Sequence, residues 1–255
     1  MAEEIRLNSS KLGTQEYWNN FYKKEIQNFS ENPEDTGECW FDDADAESKM
    51  VEYLLELIDD AELPAPGPDF SFVDLGTGNG HLLFALHEEL SEESCADVSK
   101  YQYVGVDYSP DSVSFASDIV KEKFPSDHAQ FRFEQADLLA VDAPFLKNNA
   151  ASFDVLLDKG TLDAIALNQD PLSEFDGRIG MDIYAEQVSK LMHDTSLLLI
   201  TSCNFTEEEL IRIITANGSN DLSVFDRINY PSFQFGGVKG STICSVAFSR
   251  APPRN

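Results

Sequence analysis

Three aspartates, Asp74, Asp107 and Asp137, each follow an apolar run that is typical of a β-strand. The carboxyl ends of parallel strands meet at one edge of a sheet, which is where open α/β sheets bind their ligands. Asp74 leads directly into the glycine-rich stretch LGTGNG at 75–80. An acid beside a bare backbone can hold a cationic group, and a second acid can accept both hydroxyls of a ribose. These residues predict a site for a nucleoside with a cationic end.

The spacing of the glycines separates the candidate ligands. Gly76, Gly78 and Gly80 alternate, whereas the dinucleotide fingerprint G-x-G-x-x-G would place its third glycine at His81. The chain also has no G-x-x-x-x-G-K-[ST] loop for a triphosphate. A carboxylate at Asp74 would repel a pyrophosphate, but it suits the cationic amino-acid end of S-adenosylmethionine. The pattern favours S-adenosylmethionine.

The remaining cofactor contacts follow from position along the chain. We expect Asp107 to bind the ribose and Asp137 to accept from the adenine amino group. Tyr108 either lies against the adenine or is an ordinary surface tyrosine after its strand. The predicted cofactor-binding set is Asp74, Gly76, Thr77, Gly78, Asp107, Tyr108, Asp137, Leu138 and Asp158.

The elements that position these residues alternate between strand and helix. Strand-like runs occupy 70–75, 101–108, 129–136, 152–158 and 196–202. Helical patterns occupy 81–90, 111–124, 183–191 and 207–216, and the last is opened by a capping box at Thr206 and Glu209. This alternation predicts a parallel sheet with helices on both faces.

The end of the chain departs from the alternation. Two β-rich runs, 223–230 and 241–249, are joined by ten residues, too few for a helical crossover, so we expect them to pair antiparallel. The prediction is an α/β fold with a seven-stranded mixed sheet: five parallel strands and a C-terminal antiparallel hairpin. This architecture resembles the class I, Rossmann-like methyltransferases.

The loop after the fourth strand, Asp158-Lys159-Gly160, would lie beside the methyl group to be transferred. It lacks the Pro-Pro pair with which related enzymes grip planar nitrogens, so a saturated amine such as lysine is the better fit. We predict Asp158 and Lys159 as catalytic, with Asp158 steadying the amine, and Gly160 as substrate-binding. Alternatively, Asp158 and Asp163 cap the following helix, which is the favoured interpretation for Asp163.

Composition limits the partners. The 46 acids and 18 bases leave a net charge of −28, which disfavours direct nucleic-acid binding. The excess either promotes solubility or attracts a basic protein. No apolar stretch is long enough to span a membrane, and the four scattered cysteines form no C-x-x-C pair. We therefore expect neither a membrane segment nor a metal site, and a cytoplasmic protein.

Residues 1–62 form an acidic N-terminal arm, which the linker-like stretch 63–70 separates from a predicted methyltransferase domain at 70–255. An aromatic stripe at 17–22 is expected to dock the arm on the sheet domain. Trp40 and Phe41 are predicted to bind substrate as a lid over cofactor and amine. The approach would be lined by Glu34, Asp35, Glu38, Asp42, Asp43 and Asp45.

Two segments also resemble a known family. LDKGTLDAI at 157–165 resembles the signature after strand four in a branch of eukaryotic protein lysine methyltransferases. The run from SKLGTQEYW to GECWFDD at 10–43 resembles the methyltransferases that modify a lysine of translation elongation factor 1-alpha. The resemblance implies a cytosolic enzyme that uses S-adenosylmethionine and acts on that factor. At Asp42 the family pattern leads us to expect a small residue such as glycine.

Other functions remain as alternatives. A methyltransferase acting on another protein or on a small-molecule amine is the nearest. A non-catalytic cofactor-binding module is disfavoured by the acceptor loop at 158–160, and an NAD(P) oxidoreductase by His81 in the place of the third glycine.

Overall fold

The computed structural model describes residues 5–63, 70–92, 101–216, 221–231, 233–235, 238–240 and 242–250. Its main sheet contains β1 (Phe70–Leu75), β2 (Tyr101–Asp107), β3 (Phe131–Gln135), β4 (Phe153–Lys159), β5 (Met192–Ser202), β6 (Ser223–Ile228) and β9 (Cys244–Ser249). Their order is β3-β2-β1-β4-β5-β9-β6. The first five strands pair in parallel, and β9 lies antiparallel between β5 and β6. The predicted seven-stranded mixed sheet is confirmed.

The helices surround this sheet. They are α1 (Gln15–Glu31), α2 (Ala46–Asp59), α3 (His81–Glu92), α4 (Pro110–Lys123), α5 (Pro144–Asn148), α6 (Thr161–Ala166), α7 (Gly180–Val188) and α8 (Glu207–Thr215). The capping box predicted at Thr206 and Glu209 opens α8. Among the described helices, none is long and apolar enough to cross a membrane.

Several details differ from the sequence-based expectation. Strand β5 begins at Met192 and helix α7 at Gly180, each a few residues before the predicted start. The connection between β6 and β9 contains a further antiparallel pair, β7 (Phe233–Phe235) and β8 (Val238–Gly240). Most of the predicted linker, residues 64–69, lies outside the described residues.

Both faces of the sheet are buried, as parallel strands require. Val73 and Leu75 of β1 belong to one apolar cluster, and Phe70 and Phe72 belong to the other. On the second face Phe72 stacks on Tyr103, with ring centroids 5.6 Å apart. Because the strands are packed on both sides, their carboxyl ends form a fixed edge on which ligand-binding loops can be placed.

The arm packs on this second face. Helix α2 contributes Met50 and Leu54, both fully buried, to the same cluster as β1. Helix α1 rests on α4, where the ring of Phe29 meets that of Phe115 at 5.7 Å between centroids. The predicted aromatic stripe lies on α1, and its Tyr22 is buried in this cluster. The arm is therefore joined to the sheet by a shared core.

Candidate functional site

The loop after β1 needs its glycines. Gly76 and Gly78 have φ of +72° and +58°, backbone angles that L side chains rarely adopt. A Cβ at Gly76 would lie 2.1 Å from Thr161 Oγ1, and one at Gly78 would lie 2.6 Å from the hydroxyl oxygen of Tyr22. The glycines therefore let Thr161 and Tyr22 approach this loop, which we call the cradle, and its contact with a cofactor stays a prediction.

Two carboxylates stand at this cradle. Asp107 accepts hydrogen bonds from the backbone N–H groups of Gly78 (3.1 Å) and Ser109 (2.8 Å), so it fixes the glycine loop. Both Asp74 and Asp107 are buried, at 4% and 6% exposed. Burial raises the pKa of the Asp107 carboxyl, and it raises the pKa of the Asp74 carboxyl to about 7. A cationic ligand beside them would offset this desolvation.

A cavity of about 590 Å³ opens above the cradle, within the range of small-molecule sites. Residues from the ends of β1, β2 and β3 line one side, and aromatic residues of the arm line the other. The acid set and the glycine cradle fit the cationic end and ribose of S-adenosylmethionine. The predicted site residues along its wall are Trp40, Phe41, Asp74, Gly76, Thr77, Gly78, Asp107, Tyr108, Asp137, Leu138, Lys159 and Gly160.

Asp158 is not part of the cavity wall. Its buried carboxylate accepts from the N–H groups of Thr161 (2.7 Å) and Leu162 (3.0 Å) and from the hydroxyl of Tyr184. Burial raises its pKa to about 7. The position gives no support to the expected contact with cofactor or acceptor, since the carboxylate lies outside the cavity wall and bonds to α6 and to Tyr184 of α7. The alternative, a helix cap, describes this residue.

The expectation that Asp163 caps the same helix is wrong. Its carboxylate bonds across the site instead, accepting from the hydroxyl of Ser202 (2.5 Å) and the N–H of Cys203 (2.8 Å). Gly160 precedes the helix in a left-handed conformation and provides no side-chain cap. Asp163 therefore ties α6 to the end of β5.

Lys159 connects β4 to the arm. Its ammonium donates to the carbonyl oxygen of Trp40 at 2.9 Å and lies 3.5 Å from Glu47 Oε2, with 11% of the lysine side chain exposed. Glu47 in turn meets His81 Nδ1 at 2.5 Å. Hydrogen bonds to Cys39 and Glu47 raise the pKa of the His81 imidazole to about 10. We call Lys159 and its partners Trp40, Glu47, His81 and Cys39 the latch, because these contacts fasten β4 to the arm. The prediction of Lys159 as catalytic did not include this structural role.

The latch also contains donor atoms that a metal could use. Cys39, Glu47 and His81 each place one such atom within 4.8 Å of the others. The absence of a C-x-x-C pair does not exclude such a mixed group, whose members are distant in the sequence. The ammonium of Lys159 lies 3.7 Å from Cys39 Sγ as well as near Glu47, so it already supplies the positive charge that these groups attract.

The Trp40-Phe41 pair lies over the post-β4 loop. A Cβ at Gly160 would lie 2.6 Å from Phe41 Cε2, so the missing side chain lets the ring settle on the loop. The turn places its positive φ at Phe41 (+67°) and Asp45 (+55°). Asp42 therefore needs no glycine, which removes the doubt raised by its departure from the family pattern.

The sequence analysis missed the contacts by which the arm closes the cavity. Gln15 Nε2 donates to the carbonyl oxygen of Tyr108 at 2.5 Å, and the N–H of Ser10 donates to that of Leu167 at 3.1 Å. Tyr22 was assigned to the docking stripe, yet its hydroxyl faces the glycine loop. A polar end on an otherwise apolar stripe is the signal that was available in the sequence.

Comparisons with known proteins agree with this geometry. Residues 67–237 match a family described as a methyltransferase domain. The chain is 42% identical over 245 residues to the protein-lysine N-methyltransferase EFM4 of Saccharomyces cerevisiae, covering 95% of this chain and 96% of that protein. It is 30% identical over 241 residues to human EEF1A lysine methyltransferase 2, covering 94% and 87%.

Solved structures share the fold at low sequence identity. The magnesium protoporphyrin IX methyltransferase of Synechocystis PCC 6803, solved with S-adenosylmethionine bound, is 14% identical with a TM-score of 0.55, covering 95% of this chain and 99% of that one. The [4+2]-cyclase SpnF is also 14% identical, with a TM-score of 0.54, covering 88% and 78%. One fold thus serves different chemistries, and the activity has to be argued from the site.

Proposed function

The chain belongs to the family of protein-lysine N-methyltransferases that includes EFM4 and EEF1A lysine methyltransferase 2, and we propose that it methylates a lysine of translation elongation factor 1-alpha. S-adenosylmethionine supplies the methyl group as an electrophilic sulfonium. The observation that carries the proposal is the single cavity that the cradle and the aromatic pair Trp40 and Phe41 line together.

The chain's own residues act by positioning. The acceptor ε-amine enters the cavity beside the Trp40-Phe41 pair, where aromatic faces attract an ammonium and exclude water. A lysine amine has an ordinary pKa of about 10.4, and transfer to this apolar slot lowers that pKa, so the ammonium releases its proton to water before the amine meets the cofactor. Alignment of the amine with the methyl group then provides the rate. The latch of Lys159 holds the carbonyl of Trp40 in place.

The rim of the cavity fits a basic protein. Glu38 and Phe41 line both the cavity and a second, open pocket beside it, whose wall also includes Asp42, Asp43 and Asp45. These three aspartates are exposed and would attract a basic surface, increasing the rate of encounter. The same negative charge repels nucleic acid, so we propose no direct binding of nucleic acid to this protein. The unpaired cysteines among the described residues accord with a cytoplasmic location.

The proposal is tested with labelled S-adenosylmethionine and purified elongation factor 1-alpha, followed by identification of the modified lysine. A labelled lysine that disappears in the matching Lys→Arg factor is the expected result. Labelling of another protein in cell extract, with none on the factor, would refute this substrate. Labelling of a small amine alone would favour the remaining alternative.

The role of the rim has its own test. Replacing Asp42, Asp43 and Asp45 by Asn should raise KM for the protein substrate and flatten its salt dependence, because the screening length falls from ~10 Å at 0.1 M to ~3 Å at 1 M ionic strength. Trp40→Ala should instead lower kcat. The matched control changes exposed acids at the end of α2 that line neither pocket, Asp59, Asp60 and Glu62. An equal effect of the control would show that the location of the charge is irrelevant.

A further inference from the structure

Tyr22 belongs to the arm but reaches the cofactor cradle. Its side chain is buried, lines the cavity, and brings its hydroxyl to within 2.6 Å of the place where a Cβ on Gly78 would stand. The ring is part of the apolar cluster under the sheet, so the hydroxyl is the end that faces the ligand space. One wall of the cofactor site is therefore built by a residue 52 positions before Asp74 in the chain.

The arm holds this side chain in place from several directions. Tyr22 stacks on Trp18, with ring centroids 6.0 Å apart and an interplanar angle of 25°. Glu25, one turn further along α1, is buried and accepts a hydrogen bond from the N–H of Glu38 at 3.1 Å. Thr14 caps the start of the helix by accepting from the N–H of Tyr17. A hydroxyl held this firmly can select an orientation of the ligand.

The electrostatic setting makes Tyr22 a hydrogen-bond donor. Burial, together with the negative charges of Asp107 and Asp74, raises the pKa of the phenol well above its ordinary value. The hydroxyl therefore keeps its proton at neutral pH. Beside Asp74, which suits the ammonium of an amino-acid end, the carboxylate of that same end requires a donor of its own.

We propose that Tyr22 is a cofactor-positioning residue, which donates its hydroxyl proton to the carboxylate at the amino-acid end of the methyl donor. The ammonium is held by Asp74 and the ribose by Asp107, so the three residues fix the cofactor at separate points. The arm is then required for cofactor binding as well as for the approach of substrate. This inference rests on the methyl donor of the proposed function and is independent of the protein acceptor.

The test measures binding without catalysis. Isothermal titration calorimetry compares S-adenosylhomocysteine with its decarboxylated analogue on the wild-type protein and on Tyr22→Phe, which removes one oxygen. A hydrogen bond to a charged group corresponds to about tenfold or more in affinity. Tyr22→Phe should lose that factor for S-adenosylhomocysteine and keep its affinity for the analogue. Tyr17→Phe, the same change on the same helix but outside the cavity wall, should change neither.

Three results would overturn the inference. Unchanged affinity of Tyr22→Phe for S-adenosylhomocysteine would show that the hydroxyl makes no contact with the ligand. An equal loss for both ligands would reveal a structural role without recognition of the carboxylate. A wild-type preference for S-adenosylhomocysteine of less than about threefold would mean that no strong donor meets the carboxylate, whatever the variant does. Failure to methylate elongation factor 1-alpha would leave these affinities unaffected.

Discussion

Replacing Asp74 by Asn should stabilise the cofactor-free protein and weaken cofactor binding at the same time. Asp74 is 4% exposed, and burial raises its pKa to about 7. The cofactor-free fold therefore pays for an ionised carboxylate at pH 8. Asparagine has nearly the same shape and no charge, so it removes that cost together with the proposed partner of the cofactor's ammonium.

The magnitude follows from the shift. A carboxyl whose pKa is raised on folding contributes stability that is fully present below its unfolded pKa of about 3.9 and is lost as the pH rises through its folded pKa. The folded and unfolded pKa values of Asp74 differ by about 3, and at 1.36 kcal/mol per pKa unit this corresponds to roughly 4 kcal/mol in the free energy of unfolding. Relative to the wild-type protein, the free energy of unfolding of the Asn variant should therefore be little changed at pH 4 and higher by up to about 4 kcal/mol at pH 8. Its loss of a charge-assisted bond should weaken S-adenosylhomocysteine binding by about 1.5–3 kcal/mol.

Urea unfolding at several pH values measures the first effect, and calorimetric titration of S-adenosylhomocysteine measures the second. In the wild-type protein, affinity should fall about tenfold per unit as the pH drops below 7, because Asp74 takes up a proton. The variant should show no such slope. Asp158→Asn is the matched control, since Asp158 is also buried and its pKa is also raised to about 7. Its carboxylate accepts backbone N–H groups, which the NH₂ group of asparagine cannot do, so this substitution should destabilise the protein. Wild-type affinity in Asp74→Asn would refute the assignment.

Substitutions at three further residues separate the parts of the site. Asp107→Ala should weaken S-adenosylhomocysteine binding by several kcal/mol at most, about 1.5–3 for each hydrogen bond to its charge, as calorimetry would show. Gly78→Val should abolish binding in the same assay while circular dichroism stays native, because its Cβ would meet the hydroxyl of Tyr22 at 2.6 Å. Lys159→Met should keep cofactor affinity but lower kcat and expose the arm to protease, since Trp40 loses its donor at 2.9 Å. Lys159→Arg should restore the latch, and failure of arginine to do so would favour a catalytic ammonium.

The sheet could be predicted because each strand carries its own signal. The run FSFVDL predicts both ends of β1 correctly. Both faces of this strand are buried, and a short, mainly apolar run is typical of such a strand. The start of β5 was missed because His193, Asp194 and Thr195 are polar, and pairing of Met192 with Phe153 extends the strand across them. Tertiary pairing overrides local pattern at such ends.

The predicted cofactor-side aspartates Asp74, Asp107 and Asp137 line one cavity, whereas Asp158 does not reach it. Asp74 and Asp107 lie at the carboxyl ends of neighbouring parallel strands, so topology brings them to the same edge of the sheet. Asp158 also ends a strand, but its carboxylate turns away from the cavity toward α6. The difference depends on which neighbours donate hydrogen bonds, and Tyr184 lies 26 residues away in the chain. Strand position predicts where a residue lies, and side-chain partners decide what it does.

The arm links the two sides of the cavity, and this has a consequence for the order of binding. Tyr22 reaches the glycine loop, while Trp40 is held by Lys159 beside the acceptor slot. The ring of Trp18 packs against both aromatic rings, with its centroid 6.0 Å from that of Tyr22 and 5.3 Å from that of Trp40. A cofactor that accepts a hydrogen bond from Tyr22, as we propose, would therefore stabilise an aromatic cluster that also forms the wall against which the acceptor lysine packs, so that its binding stabilises the acceptor slot. By reciprocity, an acceptor peptide should raise the affinity for S-adenosylhomocysteine, and Trp18→Ala should reduce this coupling.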